Sequence, residues 1–300
     1  MMISIIGNWD NAHSEHSRFL EEKIAQYLND VGVFKPIDMI VKSFIREISE
    51  LIINSTQQNL YESIVIYNNY LQRFLNKNER DEFKTKIKFV FNYNKFIKKT
   101  GNWNAYKLCY KSKTRTCPYC NQAYAFTYQK HGRGFRPTLD HFYNKDNYPH
   151  LALALNNLIP SCNTCNSTLK GSIDFFVKEH LNPLWDQEKL SFNLFPSSIT
   201  NIGNQTIFST ETHSIDIIAN DSQCCLSKNT LKTFLLKERY EFLLEEAIEF
   251  ANAKQEYDSI SHANIDHFNE NSEALILRFD KNKYHNFLLG KLFFDIYNRT

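Results

Sequence analysis

Cys117-Pro118-Tyr119-Cys120, then Leu139-Asp140-His141-Phe142, then Asn157-Leu158-Ile159-Pro160-Ser161-Cys162-Asn163-Thr164-Cys165-Asn166: these pieces of one stretch hold most of the recognisable chemistry of the 300-residue chain. Each Cys-x-x-Cys places two thiolates one tight turn apart, and four thiolates satisfy the tetrahedral preference of Zn²⁺. The 41 residues between Cys120 and Cys162 exceed the usual zinc-ribbon gap, so that loop is expected to contain structure of its own. The competing reading is a redox Cys-x-x-Cys with spare thiols. Cys109, Cys224 and Cys225 lack such spacing and read as inert core thiols.

Between and beside the cysteine pairs lie the groups that phosphodiester cleavage needs. Something must take a proton from water, and a divalent ion held by hard oxygens must stabilise the phosphorane. Asp140 and Asn166 offer a carboxylate and an amide oxygen for Mg²⁺ or Mn²⁺. His141 offers a base whose ordinary pKa near ~6.5 suits neutral pH. Adjacent strand residues point to opposite faces, so Asp140 and His141 can serve one site only at a strand end. A zinc clamp would fix Asn166, directly after Cys165, close to them.

The order Cys-x-x-Cys, Asp-His, Asn-Leu-Ile-Pro-Ser-Cys-x-x-Cys-Asn resembles the HNH endonuclease family. It is most similar to members with a four-cysteine zinc beside a ββα-metal site, such as phage Holliday-junction resolvases. The resemblance covers about residues 115 to 175. It implies His141 as general base, Asp140 as metal ligand and Asn157 as the middle Asn that holds the loop and orients the base. Asn156 is adjacent and competes for that assignment. The last family position, often His, is Asn166 here, which favours an oxygen-loving ion. The wording Asp-His-Phe-Tyr-Asn-Lys, Tyr-Pro-His-Leu-Ala-Leu and Asn-Leu-Ile-Pro-Ser-Cys also resembles the HNH subunit of Septu-type antiphage systems, departing at Asn144, where Pro is expected. That second resemblance implies an ATPase partner and a role in antiviral defence. A non-catalytic zinc module that binds nucleic acid or protein is the alternative.

Outside the motif, charge is uneven. From Lys84 to Leu139 there are thirteen basic and no acidic residues, while the remainder carries 22 basic against 33 acidic. Such a block suggests a polyanion-docking face, DNA more than RNA. Its candidate contacts are Lys111, Lys113, Arg115, Arg133 and Arg136, with Lys145 and Lys170 as candidate phosphate contacts; a solvated lysine is the commoner case for the last two. Seven cysteines do not make a disulfide scaffold, no apolar run approaches the ~20 residues of a membrane helix, and Met1 to Asp10 does not read as a secretory signal. A cytoplasmic protein is expected.

The expected fold class is α+β, mostly α: a helical region 1–100, a small ββα zinc module 101–180 and a mainly helical region 181–300. Helical spacing predicts helices over Ser14 to Leu28, Ile37 to Ile52 after Pro36, Leu60 to Leu75 and Glu82 to Ile97. Strands are expected at Ala123 to Tyr128 and Phe135 to Leu139 around a glycine turn, then a long connection containing Pro149 and Pro160. Thr206 to Ser209 and Ser214 to Ile218 are a candidate strand pair. Further helices are expected over Asn229 to Tyr257 and Ser272 to Tyr297, and the helices from Asn229 onward are the expected dock for a partner.

Overall fold

The computed structural model describes residues 3–31, 35–130, 133–196, 208–220, 225–261 and 270–299. The chain is mixed α+β and mostly helical, as its periodicity predicts. Helix α1 is His13–Leu28. Helix α2, Pro36–Asn54, starts on Pro36, and the Asp38 carboxylate accepts from the Lys35 N–H at 2.8 Å. It buries Val41, Phe44, Ile45, Ile48 and Ile52, the 3.6-period stripe. Helix α3, Gln57–Gln72, is capped by Thr56, whose hydroxyl accepts from the Asn59 N–H.

Helix α4, Lys77–Val90, ends earlier than predicted. Asn92 caps a separate turn, α5 (Tyr93–Phe96), by accepting from the Lys95 N–H, and the single helix expected over Glu82 to Ile97 is thereby divided. Helix α6, Ala105–Tyr110, follows its own Asn104 cap.

Among the described residues, three two-stranded antiparallel sheets come next. Strands β1 (Tyr128–Lys130) and β2 (Arg133–Phe135) pair with Tyr128 opposite Phe135. The His131-Gly132 part of the expected glycine turn lies outside the described residues. The second expected strand does not run on to Leu139 in the same ladder, because Pro137 has no N–H to continue it. Instead β3 (Thr138–His141) pairs with β4 (Leu158–Ser161), Asp140 opposite Ile159 and His141 opposite Leu158. Pro160 is therefore in a strand rather than a connection, which a two-stranded sheet tolerates because one side of each strand is unpaired. A seven-residue π-helical turn, Thr164–Lys170, follows β4 directly. Strand β5 (Leu190–Pro196) pairs with β6 (His213–Ala219). The partner of the 214–218 segment is thus 190–196 and not Thr206 to Ser209, of which 206–207 lie outside the described residues while Ser209 starts the turn into β6.

The expected helix over Asn229 to Tyr257 is broken into α7 (Cys225–Thr233), α8 (Leu236–Glu241) and α9 (Leu244–Ser261). The first break falls at Leu235, which adopts φ 48°. Helices α10 (Glu270–Leu277) and α11 (Gly290–Tyr297) flank a 3₁₀ segment, Lys281–Asn286. One apolar cluster runs from Ile3 to Ile296 through all three expected regions. No helix among the described residues is long and apolar enough to cross a membrane.

Candidate functional site

The four sulfurs of Cys117, Cys120, Cys162 and Cys165 all lie within 4.8 Å of one another, with Cys120 and Cys162 at 4.0 Å. Tetrahedral Zn–S bonds of ~2.3 Å imply sulfur–sulfur separations of roughly 3.8 Å, so the donor set fits such an ion. The Gln122 N–H donates to Cys120 Sγ at 3.5 Å and the Cys165 N–H to Cys162 Sγ at 3.4 Å, which orients the lone pairs inward. Burial, reinforced by the neighbouring thiols, raises the Cys117 thiol well above its ordinary range. A bound cation removes that cost by holding the group as thiolate. The cysteines are thus placed to hold a metal such as zinc.

Helix α8 seals this centre. Arg239 Nη1 donates to Cys165 Sγ at 3.5 Å, and the Tyr240 hydroxyl donates to the Cys120 carbonyl at 2.6 Å. The guanidinium offsets part of the negative charge that four thiolates leave around a divalent ion. Neither residue carries a sequence signal, since both arrive from far along the chain.

Strand β3 ends at the residues singled out for catalysis. His141 Nε2 lies 3.0 Å from the Ala152 carbonyl, which only accepts, so Nε2 carries the proton and Nδ1 the lone pair. No hydrogen bond reaches Nδ1 among the described residues. The Tyr93 ring meets the imidazole edge-on at 4.4 Å. Burial pushes the His141 pKa down to about 3, below the ordinary value that its choice as a base assumed, so the ring stays neutral and is a weaker base than the sequence suggests.

Asn157 is fully buried and clips the loop between β3 and β4. Its Oδ1 accepts from the Tyr143 N–H at 2.7 Å, and its Nδ2 donates to the Tyr143 and Leu151 carbonyls at 3.0 and 3.1 Å. Asn156 instead donates to the Ser55 carbonyl at the end of α2. Of the two adjacent residues, Asn157 is therefore the loop-holder.

Asp140 is placed differently from an open metal ligand. Tyr119 donates to Oδ2 at 2.6 Å and the Lys170 ammonium to Oδ1 at 2.7 Å. Asp140 and Lys170 are 2% and 3% exposed. Lys170 also donates to the His141 carbonyl and lies 4.8 Å from the Phe175 ring centroid. Lys170 is thus buried against Asp140 and not displayed to solvent. Asn166 is half-buried on the π-helical turn. Among the described residues, the four cysteines are the only group of three or more His, Cys, Asp or Glu placed to share an ion. As arranged, the Asp140 carboxylate is paired with the Lys170 ammonium rather than open to an ion. Tyr119 and Lys170 are partners that spacing alone did not reveal, although Tyr119 sits inside the first Cys-x-x-Cys.

Removing the ammonium would leave a buried charge without a counterion. Lys170→Met is expected to cost about 3–5 kcal/mol of stability, and Asp140→Asn in the same chain to restore part of it. Denaturant unfolding of both variants measures this; a single variant as stable as wild type would mean the pair holds nothing together.

The basic candidates separate by environment. Lys111 pairs with Glu15 at 2.5 Å, Lys113 with Asp10 at 2.8 Å and Lys145 with Asp146 at 3.4 Å. Arg136 is half-buried, donating to the Pro137 carbonyl with its guanidinium 5.4 Å from the Tyr106 ring centroid. Arg115 and Arg133 are exposed.

No family model, no curated protein and no solved structure matches this chain.

Proposed function

We propose that the protein is an HNH-class endonuclease that hydrolyses nucleic-acid phosphodiester bonds, with zinc in the four-cysteine centre as a structural element. The observation that carries this reading is the antiparallel β3–β4 pair with His141 at its end, joined by a loop clipped at Asn157 and followed at once by the cysteine-held turn. In that setting the Ala152 carbonyl fixes the His141 tautomer. Nδ1 takes a proton from water as its oxygen attacks phosphorus, and the opposite P–O ester bond breaks. The imidazolium so formed keeps its Nε2–H bond to Ala152. The dependence on Mg²⁺ or Mn²⁺ through Asp140 and Asn166 comes from the family resemblance. The Septu-type resemblance adds an ATPase partner and an antiphage role to the proposal; the flanking helices are the proposed dock and the cytoplasm the proposed setting.

The engagement of Asp140 by Lys170 favours a second reading, a zinc-containing module that binds nucleic acid or protein without cleaving. His141→Ala separates the two. Loss of a general base is expected to lower cleavage about 10²–10⁴-fold while the fold and the zinc content are retained. Plasmid cleavage with Mg²⁺ or Mn²⁺, in the presence of the proposed ATPase partner, is the assay. A variant that cuts as fast as wild type removes His141 from the chemistry, and a wild-type chain that cuts under none of these conditions supports the binding module.

A further inference from the structure

The described residues from Tyr124 to Phe135 include four rings that belong to no part of the apolar cluster running through the chain. Tyr124, Tyr128 and Phe135 are 58%, 51% and 53% exposed, and Phe126 is half-buried. They nonetheless touch in series. Tyr124 meets Phe126 edge-on at 5.4 Å, Phe126 meets Phe135 edge-on at 5.4 Å, and Phe135 stacks on Tyr128 at 6.1 Å. The last contact is the cross-strand pair of β1 and β2. Gly134 permits the close approach of the two strands, since a Cβ there would stand 2.3 Å from the Tyr128 carbonyl oxygen.

Charge accompanies the rings. Lys130, Arg133 and Arg115 are exposed, and none joins an ion pair among the described residues. The whole stretch from Lys84 to Leu139 contains no carboxylate to repel an anion. Exposed aromatic faces cost water contact that folding leaves uncompensated, so a run of them rimmed by cations marks a binding surface. The combination of ring faces and cations matches unpaired nucleic acid: bases stack on the rings while the backbone follows the charges. A duplex offers the same phosphates but keeps its base faces stacked internally. Position agrees, because Phe135 precedes His141 by six residues and extended chain spans at most about 20 Å over that length.

We propose that the β1–β2 ribbon is a stacking platform for a single-stranded segment of the substrate. Its role beside His141 rests on the nuclease reading, whereas its binding chemistry does not.

The test uses the full chain carrying His141→Ala, so that binding is read without turnover. Labelled oligo(dT) of about 15 nucleotides, on the scale of one binding site, and a duplex of equal length are titrated by fluorescence anisotropy. The single strand is expected to bind more tightly. Adding Tyr128→Ala with Phe135→Ala is expected to weaken single-strand binding roughly 100-fold, from two lost stacking contacts, with little change on duplex. Tyr128→Phe should retain the affinity, and the exposed positions should leave melting unchanged. Equal loss on both substrates, or no loss on either, overturns the proposal. So does a loss confined to phosphatidylserine vesicles, which would make the ribbon a membrane contact. Failure of the nuclease reading shows separately, as a wild-type chain that binds oligo(dT) through the ribbon and never cuts it.

Discussion

Cys120→Ser or Cys165→Ser is expected to yield protein that does not fold. The four sulfurs join the turn before the β1–β2 ribbon to the turn after β4, and α8 packs on them through Arg239 and Tyr240. Structural zinc contributes on the order of 10 kcal/mol to a small module, comparable with the whole stability of about 5–15 kcal/mol of an ordinary domain. Cys109→Ser is the control, because that buried thiol lies outside the cluster. Solubility, melting and zinc per chain are the measurements. A soluble Cys120→Ser protein that melts normally and retains one zinc would show that the clamp is not what holds this region together.

Acid is expected to unfold the protein above the carboxylate range, because several histidines are buried in the neutral form, His16 and His150 among them. His16 Nε2 bonds the Leu153 carbonyl at 2.7 Å, and Nδ1 accepts from Trp103 Nε1 at 3.0 Å. A second ring proton has no acceptor there, and burial pushes the His16 pKa down to about 4. His150 is fully buried between Phe44 and Tyr67, its Nε2 3.3 Å from the Ser63 hydroxyl, and burial pushes its pKa down to about 3. In the unfolded chain both titrate near ~6.5. The unfolded state therefore binds more protons below that pH, and stability falls from about pH 6.5 down to the folded values. At pH 5 the loss is about 2 kcal/mol for each histidine. Replacing His150 by Phe keeps a ring against Phe44 and Tyr67 and removes its share. Melting temperature from pH 7 to pH 5 should fall less steeply in that variant; parallel curves would exclude His150 as a source of acid sensitivity.

Those features were legible in the sequence to very different degrees. The four-cysteine cluster follows from two Cys-x-x-Cys pairs because their internal spacing is local. Helix α2 follows from an apolar stripe with Pro36 at its start, whereas α3 begins three residues before the expected Leu60, at the Thr56 cap. The β3–β4 pairing was hidden because its partners are distant in the chain and Pro160 reads against a strand. Leu235 turns the chain in the left-handed region without glycine or asparagine, so nothing local marks that break in the C-terminal helices. Asp140 shows the same limit at the candidate site. Its place next to His141 suggested an open ligand, yet Tyr119 and Lys170 reach it from other elements, and only the folded chain brings them together.

Asn121, in the turn of the first cysteine pair, has φ 54° and is fully buried against the far end of the chain. Its Nδ2 donates to the Phe287 carbonyl, its own carbonyl accepts from the Leu289 N–H, and its Oδ1 accepts from the Lys291 N–H, 170 residues later. On the ribosome the cysteine turn must therefore wait for α11. At translation rates of about 5–20 residues per second, that interval is roughly 10–30 s. For most of it the segment holding His141 has emerged while the turn beside it still lacks its last supports. A nascent chain would thus carry every proposed catalytic residue before it carried a finished site, and birth order alone would delay the onset of any nuclease activity.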